Sequence, residues 1–145
     1  MDLKHGTEDS ATRALNLVSE RWTMLILRAA FFGVRRYAQF AQELGIPRPT
    51  LSDRLAKLVG AGLLSREKYA GGPIRADYEY RLTQAGRDLL PAIVVLMEWG
   101  EKYLGEGSAA TWTHETCGAP SHPVLTCDHC GLPVTAQNVH LNGAD

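Results

Sequence analysis

The sequence predicts a mostly helical protein with one small β-hairpin: a winged helix-turn-helix domain followed by a short module rich in Cys and His. Three observations support this prediction. Apolar residues recur at helical spacing through the first hundred residues, and a glycine-rich turn separates two short alternating segments. All three cysteines lie in the last thirty residues. We therefore predict a domain in residues 1–105, and a linker with a Cys/His tail in residues 106–145.

The first two helices follow from apolar residues at 3.6-residue periodicity. SATRALNLVSERW predicts a helix from about Ser10 to Glu20, with Ser10 as a suitable N-cap. RWTMLILRAAFFG predicts a second helix with apolar residues around nearly its whole circumference. We expect a helix of that kind at the centre of the core.

The next two segments predict a helix-turn-helix. RRYAQFAQELG predicts a short third helix that ends at Gly45. Its inward residues are predicted to be Tyr37, Phe40 and Leu44. IPRPTLSDRLAKLVGAG predicts a fourth helix, about Arg48–Ala61, with a stripe of Leu51, Leu55 and Leu58. The short GIPR segment between the two helices is typical of a helix-turn-helix.

The rest of the domain predicts a wing and one long helix. LLSREKYA and DYEYRL read as strands around the turn GGPIRA, which gives a hairpin, the wing, over about Leu63–Leu82. LTQAGRDLLPAIVVLMEWGEKYLG predicts a last helix capped by Thr83, and we expect Pro91 to bend it. We find no internal repeat of useful length.

The net charge of −1 hides an uneven charge distribution. Between Arg21 and Arg87 the chain carries twelve Lys and Arg but five Asp and Glu, so this block has a net charge of +7. Only charges within a screening length of a phosphate attract it strongly, so a basic block of this kind suits DNA binding. A solvated charged surface is the alternative interpretation.

The fourth helix carries the main candidates for DNA contact. With its leucines buried, helical rotation places Thr50, Asp53 and Lys57 outward. The N-terminus of a recognition helix enters the major groove, where an arginine can pair with guanine. Wing cations suit phosphates or the minor groove. The predicted DNA contacts are Arg35, Arg36, Arg48, Thr50, Ser52, Asp53, Arg54, Lys57, Arg66, Lys68 and Arg75.

Four segments, ERWTMLIL, LSDRLAKL, GLL and YEYRLTQAGRDL, resemble the HxlR-type winged-helix transcriptional regulators, relatives of the MarR group. The resemblance covers roughly Ala11 to Leu104. It implies a homodimer, built from the first and last helices, that binds specific DNA near promoters. Several members sense oxidants through a cysteine just before the first helix, where this chain has Asp9 and Ser10, so that switch is excluded. The implied core and dimer contacts are Leu15, Leu89, Ile93, Leu96, Met97, Trp99 and Tyr103.

The tail has the spacing of a metal site. His114 and Cys117 form H-x-x-C, Cys127 and Cys130 form C-x-x-C, and each pair ends on a cysteine followed by glycine. Paired ligands on short turns suit tetrahedral Zn²⁺. We predict a structural zinc-ribbon-like module, with His122 or His129 as an alternative fourth ligand. A Cys127–Cys130 disulfide remains the redox alternative, although the surrounding residues predict a β-hairpin rather than a strand followed by a helix.

These patterns predict a sequence-specific DNA-binding regulator that acts as a homodimer on a pseudo-palindromic operator. The chain has no H-E-x-x-H, deaminase or nucleophile-elbow motif, so we do not expect an enzyme. It has no signal-peptide pattern and no apolar run near the ~20 residues that a membrane span needs, so we expect a cytoplasmic protein. The alternatives are a regulator whose tail senses zinc or redox state, and a protein-interaction adaptor. No effector is indicated.

Overall fold

The computed structural model describes residues 9–69, 78–105, 111–140 and 142. These residues form helices α1 (Ser10–Val18), α2 (Arg21–Phe31), α3 (Tyr37–Leu44), α4 (Arg48–Gly60), α5 (Gln84–Arg87) and α6 (Leu90–Leu104), and strands β1 (Leu64–Lys68), β2 (Tyr78–Leu82), β3 (Trp112–Thr113) and β4 (Pro120–Ser121). The chain divides into two compact units, Met1–Ile93 and Val94–Asp145. The division falls inside α6, and the domain boundary after residue 105 stays a prediction.

The first two helices differ in burial. The N-cap of α1 is Asp9 rather than Ser10, because the Asp9 carboxylate accepts the Thr12 N–H at 2.8 Å. This hydrogen bond holds the pKa of Asp9 below its usual value, so the cap is lost only as the pH falls through that lowered pKa. Helix α1 buries none of its residues. Helix α2 buries five residues, including Ile26 and Leu27, which confirms its central place.

The helix-turn-helix is confirmed. Helix α3 ends at Gly45, whose φ of 59° lies in the left-handed region that favours glycine. Helix α4 has Pro49 in its first turn, where no N–H is needed for the helical ladder. The core of the first unit is apolar and its largest fully buried side chains are Phe40, Ile26, Leu27, Leu51, Leu55, Leu58 and Leu64.

The wing is confirmed as an antiparallel pair of β1 and β2, with Leu64 opposite Leu82 and Lys68 opposite Tyr78. The segment before α3 joins its edge, because the Tyr80 N–H donates to the Arg35 carbonyl at 2.7 Å. The wing tip, with Arg75, lies outside the described residues.

The prediction of one continuous last helix is wrong. The side chain of Thr83 caps α5 as expected, by accepting the Gly86 N–H at 3.1 Å. The chain then turns at residues 88–89 and begins α6 at Leu90. Pro91 is thus the second residue of a new helix, where its missing N–H costs nothing, rather than the cause of a bend.

In the described residues, no helix is long and apolar enough to cross a membrane.

Candidate nucleic-acid interface and Cys/His tail

The N-terminus of α4 is held in place by Tyr37 on α3. The Tyr37 hydroxyl donates to the Arg48 carbonyl at 2.9 Å and lies 3.0 Å from Ser52 Oγ. This contact orients the first turn of α4, which carries Arg48 and Thr50. Arg48 is exposed, and the described residues give its guanidinium no ion-pair partner. Sequence reasoning treated Tyr37 only as an inward residue, since nothing local signals a hydroxyl aimed at another helix.

The outward side of α4 has a mixed charge. Ser52, Asp53 and Lys57 are exposed, and Thr50 is half-buried. The Asp53 carboxylate lies 3.2 Å from Lys57 Nζ, one helical turn away. Exposed pairs of this kind contribute little to stability and exchange partners readily. Lys57 can therefore leave Asp53 for a phosphate.

Arg54 has a different environment from the one expected for a base contact. Its guanidinium forms an ion pair with Glu20, at the end of the α1–α2 connection, and lies 3.4 Å from Asp53. The Arg54 side chain is only 17% exposed. Its Nε is buried and has no hydrogen-bond partner among the described residues. Arg54 thus holds α4 against the preceding helices.

Arg35 and Arg36 connect the start of α3 to its neighbours. Arg35 Nη1 donates to the Ala30 carbonyl at 3.3 Å. Arg36 stacks over the Tyr69 ring at 4.0 Å, with its Nε 3.8 Å from Glu79. Both side chains therefore have structural partners beside any contact with DNA.

The described strands of the wing carry three cations, Arg66, Lys68 and Arg81. The Arg66 guanidinium lies 3.6 Å from the centre of the Tyr78 ring, a cation–π contact. Lys68 is exposed at the end of β1. Glu67 and Glu79 lie opposite each other in the sheet, and Arg81 lies 3.6 Å and 2.9 Å from them. This arrangement offsets the repulsion between the two carboxylates.

The candidate dimer residues separate into buried and exposed sets. Ile93 is buried, and Leu89 and Met97 are half-buried. Five large apolar side chains of α6, counting Leu104, are more than half exposed. Four of them recur at spacings of three and four, so they share one face. This apolar face of α6 consists of Val95, Leu96, Trp99 and Tyr103. On α1, Leu15 is 57% exposed. Val95 was not among the dimer contacts that the family resemblance implied.

The tail contains two similar turns. His114 Nδ1 lies 3.3 Å from Cys117 Sγ in the first, and Cys127 and Cys130 occupy the second. The predicted hairpin around the second turn is confirmed by the bridge between Thr126 and Pro133. The Cys130 backbone N–H, followed by that of His129 and by the Cys130 thiol, holds the pKa of the Cys127 thiol below its usual value.

The two turns remain separate pairs of ligands. In the described part of the chain, no three His, Cys, Asp or Glu side chains lie close enough to hold one metal ion. The three cysteines are free thiols. His122 Nδ1 lies 3.0 Å from Glu98 on α6, and His129 is exposed. The predicted zinc site therefore stays a prediction.

Comparison with known proteins also indicates a helix-turn-helix protein. Residues 17–108 match the family model described as HxlR-like helix-turn-helix. The chain is 58% identical over 141 residues to Rv3095, an uncharacterised HTH-type transcriptional regulator of Mycobacterium tuberculosis strain H37Rv, with 95% of this chain and 88% of the relative covered.

Two solved structures are also similar. The candidate transcription factor PA1607 has a TM-score of 0.83 and 30% identity, with 94% of this chain and 95% of that chain covered. The redox regulator HypR in its reduced form has a TM-score of 0.59 and 27% identity, with 65% of this chain and 92% of that chain covered. About a third of this chain thus has no counterpart in HypR. The family match spans most of the chain and includes both the helix-turn-helix and the wing, so the protein belongs to the HxlR-like helix-turn-helix family of transcriptional regulators, a DNA-binding and non-enzymatic class.

Proposed function

We propose that the protein is a sequence-specific transcriptional regulator that binds a pseudo-palindromic operator as a homodimer. Helix α4 enters the major groove, and the wing contacts the backbone or the minor groove. The observation that carries this proposal is the N-terminus of α4. There, Tyr37 fixes the backbone of a turn whose Arg48 side chain is exposed and free of ion pairs in the described residues.

The homodimer is supported by the solvent exposure of two helices, α1 and α6. Helix α1 has nine residues and buries none of them. Helices shorter than about 12–15 residues are marginal in water without packing. Helix α6 exposes its apolar face, with Trp99 53% and Tyr103 61% exposed. A second copy of the chain, related by a two-fold axis, would cover the same surfaces on both protomers.

The operator geometry follows from the symmetry of such a dimer. Two copies of α4 reach successive major grooves on one side of the duplex, so the half-sites lie about 34 Å apart. Arg48 is assigned to base recognition, because an exposed arginine at a helix start can pair with guanine through two hydrogen bonds. Lys57, Arg66 and Lys68 are assigned to phosphates. Operator binding would place the protein on the chromosome.

The test is titration of the purified protein into labelled duplexes from its own promoter region, followed by fluorescence anisotropy at several salt concentrations. Wild-type protein should bind the operator at least about 10³-fold more tightly than random duplex. Arg48→Ala should lose about 1–3 kcal/mol of operator affinity and relax base preference. Lys68→Ala should weaken binding to all sequences and reduce the salt slope by about one.

Lys102→Ala is the matched control. Lys102 is an exposed cation near the end of α6, far along the chain from the recognition helix and the wing. Its replacement removes the same charge and should leave both affinity and salt slope unchanged. Because Lys102 Nζ lies 5.0 Å from the centre of the Tyr103 ring, sedimentation should first show that the variant has the same oligomeric state as the wild type. Equal binding of operator and random duplex by the wild-type protein would contradict the proposal.

The tail is proposed as a zinc-ribbon-like accessory module that operator binding does not need. Both the family match, which ends at residue 108, and the shorter extent of HypR support a separate role. Operator affinity should therefore stay within about twofold after treatment with a strong chelator, or with an oxidant followed by its removal. A loss of operator affinity on chelation or oxidation would instead favour a sensor. A protein that binds no DNA, but captures a partner through the tail, would be an adaptor.

A further inference from the structure

The tail contains a repeated octapeptide that its fold reveals. Residues 113–120 read THETCGAP and residues 126–133 read TCDHCGLP, thirteen residues further on. The two copies share Thr, Cys, Gly and Pro, and both have an acid at their third position. The second and fifth positions hold His114 and Cys117 in the first copy, and Cys127 and Cys130 in the second.

The two copies have the same backbone structure. Thr113 pairs with Pro120, as Thr126 pairs with Pro133. The N–H at the second position donates to the carbonyl of the seventh at 2.9 Å in both copies. The N–H of the sixth-position glycine donates to the carbonyl of the second, at 2.7 Å in the first copy and 2.8 Å in the second. Both glycines have a left-handed φ, 69° for Gly118 and 72° for Gly131.

This turn brings the second and fifth side chains together. His114 Nδ1 and Cys117 Sγ lie 3.3 Å apart. Zinc bonds of about 2.0–2.1 Å to nitrogen and 2.3 Å to sulfur, at a tetrahedral angle, separate such atoms by about 3.6 Å. A metal would therefore fit this pair with a small opening of the turn.

The tail also lacks a core of its own. None of the described residues in 111–140 is buried. Two short hairpins without an apolar core are marginally stable in water. Small modules of this kind need another source of stability, such as a metal.

We infer that the two octapeptides are half-sites of a single Zn²⁺ site whose ligands are His114, Cys117, Cys127 and Cys130. A structural zinc site takes four ligands and each half-site offers two, so one ion would join the two copies. No three of these side chains lie together in the described residues, so zinc binding requires the two turns to move closer to each other. Three thiolates and an imidazole favour zinc over the hard cations that prefer oxygen ligands.

The repeat also indicates which histidine is the fourth zinc ligand. His129 occupies the fourth position of the second octapeptide, which corresponds to Thr116 in the first, so it does not stand at a ligand position. His122 lies outside both copies, and its Nδ1 is engaged by Glu98 at 3.0 Å. The zinc site thus uses His114 as the fourth ligand.

The test is the metal content of the full-length protein, measured by native mass spectrometry and atomic spectroscopy after purification under reducing conditions. We expect one zinc per chain. Exchange for Co²⁺ should give the intense visible bands of a tetrahedral thiolate site. Cys117→Ser and Cys127→Ser should each weaken metal binding by more than about tenfold. Replacing a residue that only hydrogen-bonds a metal ligand already costs about that much, and the loss of a ligand costs more. His114→Cys should keep the zinc, whereas His114→Ala should lose it.

His129→Ala and His122→Ala are the matched controls, and both should retain one zinc per chain. A wild-type protein that carries no zinc and binds neither Zn²⁺ nor Co²⁺ would overturn the inference. So would unchanged zinc in Cys117→Ser, or loss of zinc in His129→Ala. Because operator binding is measured separately by anisotropy, failure of the zinc site and failure of the DNA-binding proposal are distinguishable.

Discussion

Single residues decide how the recognition helix is presented, and Tyr37 is the clearest case. Its hydroxyl is the link from α3 to the Arg48 carbonyl and to Ser52 at the start of α4. A net contribution of about 0.5–1.5 kcal/mol is usual for one such hydrogen bond. The hydroxyl affects both stability and the position of the first turn of α4.

We predict that Tyr37→Phe lowers the free energy of unfolding by about 1 kcal/mol and weakens operator binding more than it weakens binding to random duplex. The reason is that base recognition depends on the placement of α4, whereas phosphate attraction tolerates small shifts. Urea unfolding should show a lower midpoint with an unchanged slope. Anisotropy should show the loss of specificity.

Tyr78→Phe is the control for this prediction. It removes the same atom but keeps the ring on which Arg66 stacks at 3.6 Å. We expect it to leave both stability and specificity close to wild type. An equal loss in both variants would contradict the role assigned to Tyr37.

Elements pack closely where α5 meets the start of the wing. Gly86 is buried, and a Cβ built there would overlap the Leu63 carbonyl oxygen and lie 3.0 Å from Leu82 Cδ2. Glycine is required at position 86 because there is no space for a Cβ. Its backbone conformation is one that other residues also adopt. The turn after α5 then allows α6 to begin afresh at Leu90.

We predict that Gly86→Ala destabilises the protein by about 1–3 kcal/mol, because backbone must shift to admit the methyl group. Each kcal/mol should lower Tm by about 4–8 °C in a domain of this size. Gly60→Ala is the control: Gly60 lies in α4 with no atom within 4 Å of a built Cβ. It should leave Tm unchanged or raise it, since alanine is the better helix former. A Tm for Gly86→Ala equal to wild type would contradict the close packing.

At the scale of the whole molecule, two helices expose apolar side chains. Helix α1 buries no residue, and the apolar face of α6 leaves Leu96 56% exposed. An exposed apolar face such as that of α6 is typical of a protein–protein interaction site. The proposed homodimer accounts for it.

We predict that Leu96→Glu raises the dimer dissociation constant by more than about 100-fold, because an unpaired buried charge costs about 3 kcal/mol or more. Sedimentation equilibrium measures this shift. Val124→Glu is the control, since Val124 is 65% exposed in the tail. Monomeric wild-type protein, or equal dissociation of both variants, would contradict an interface on α6.

Much of the fold was predictable because its signals are local. The 3.6-residue periodicity located α2, α3 and α4, and the glycine at 45 marked the end of α3. The two strands followed from alternation around a glycine-rich turn. The break between α5 and α6 was missed, because Pro91 is compatible with both a bent helix and a new first turn.

The candidate site was predictable in position but not in detail. Arg48 and Lys57 are exposed as expected, whereas Arg54 pairs with Glu20 and is nearly covered. The octapeptide repeat was missed, because a few shared residues in eight do not stand out until the hydrogen bonds are seen to coincide. The ligand spacings themselves were visible in the sequence.

The sequence by itself determined the helix-turn-helix, the wing, the basic block and the positions of the candidate zinc ligands, because each depends on residues close together in the chain. The tertiary structure decided which polar side chains are free to act. Arg54 meets Glu20, Arg36 meets Tyr69, and Tyr37 meets Arg48 only through folding. Those partners lie many residues apart, and packing of the core brings them together.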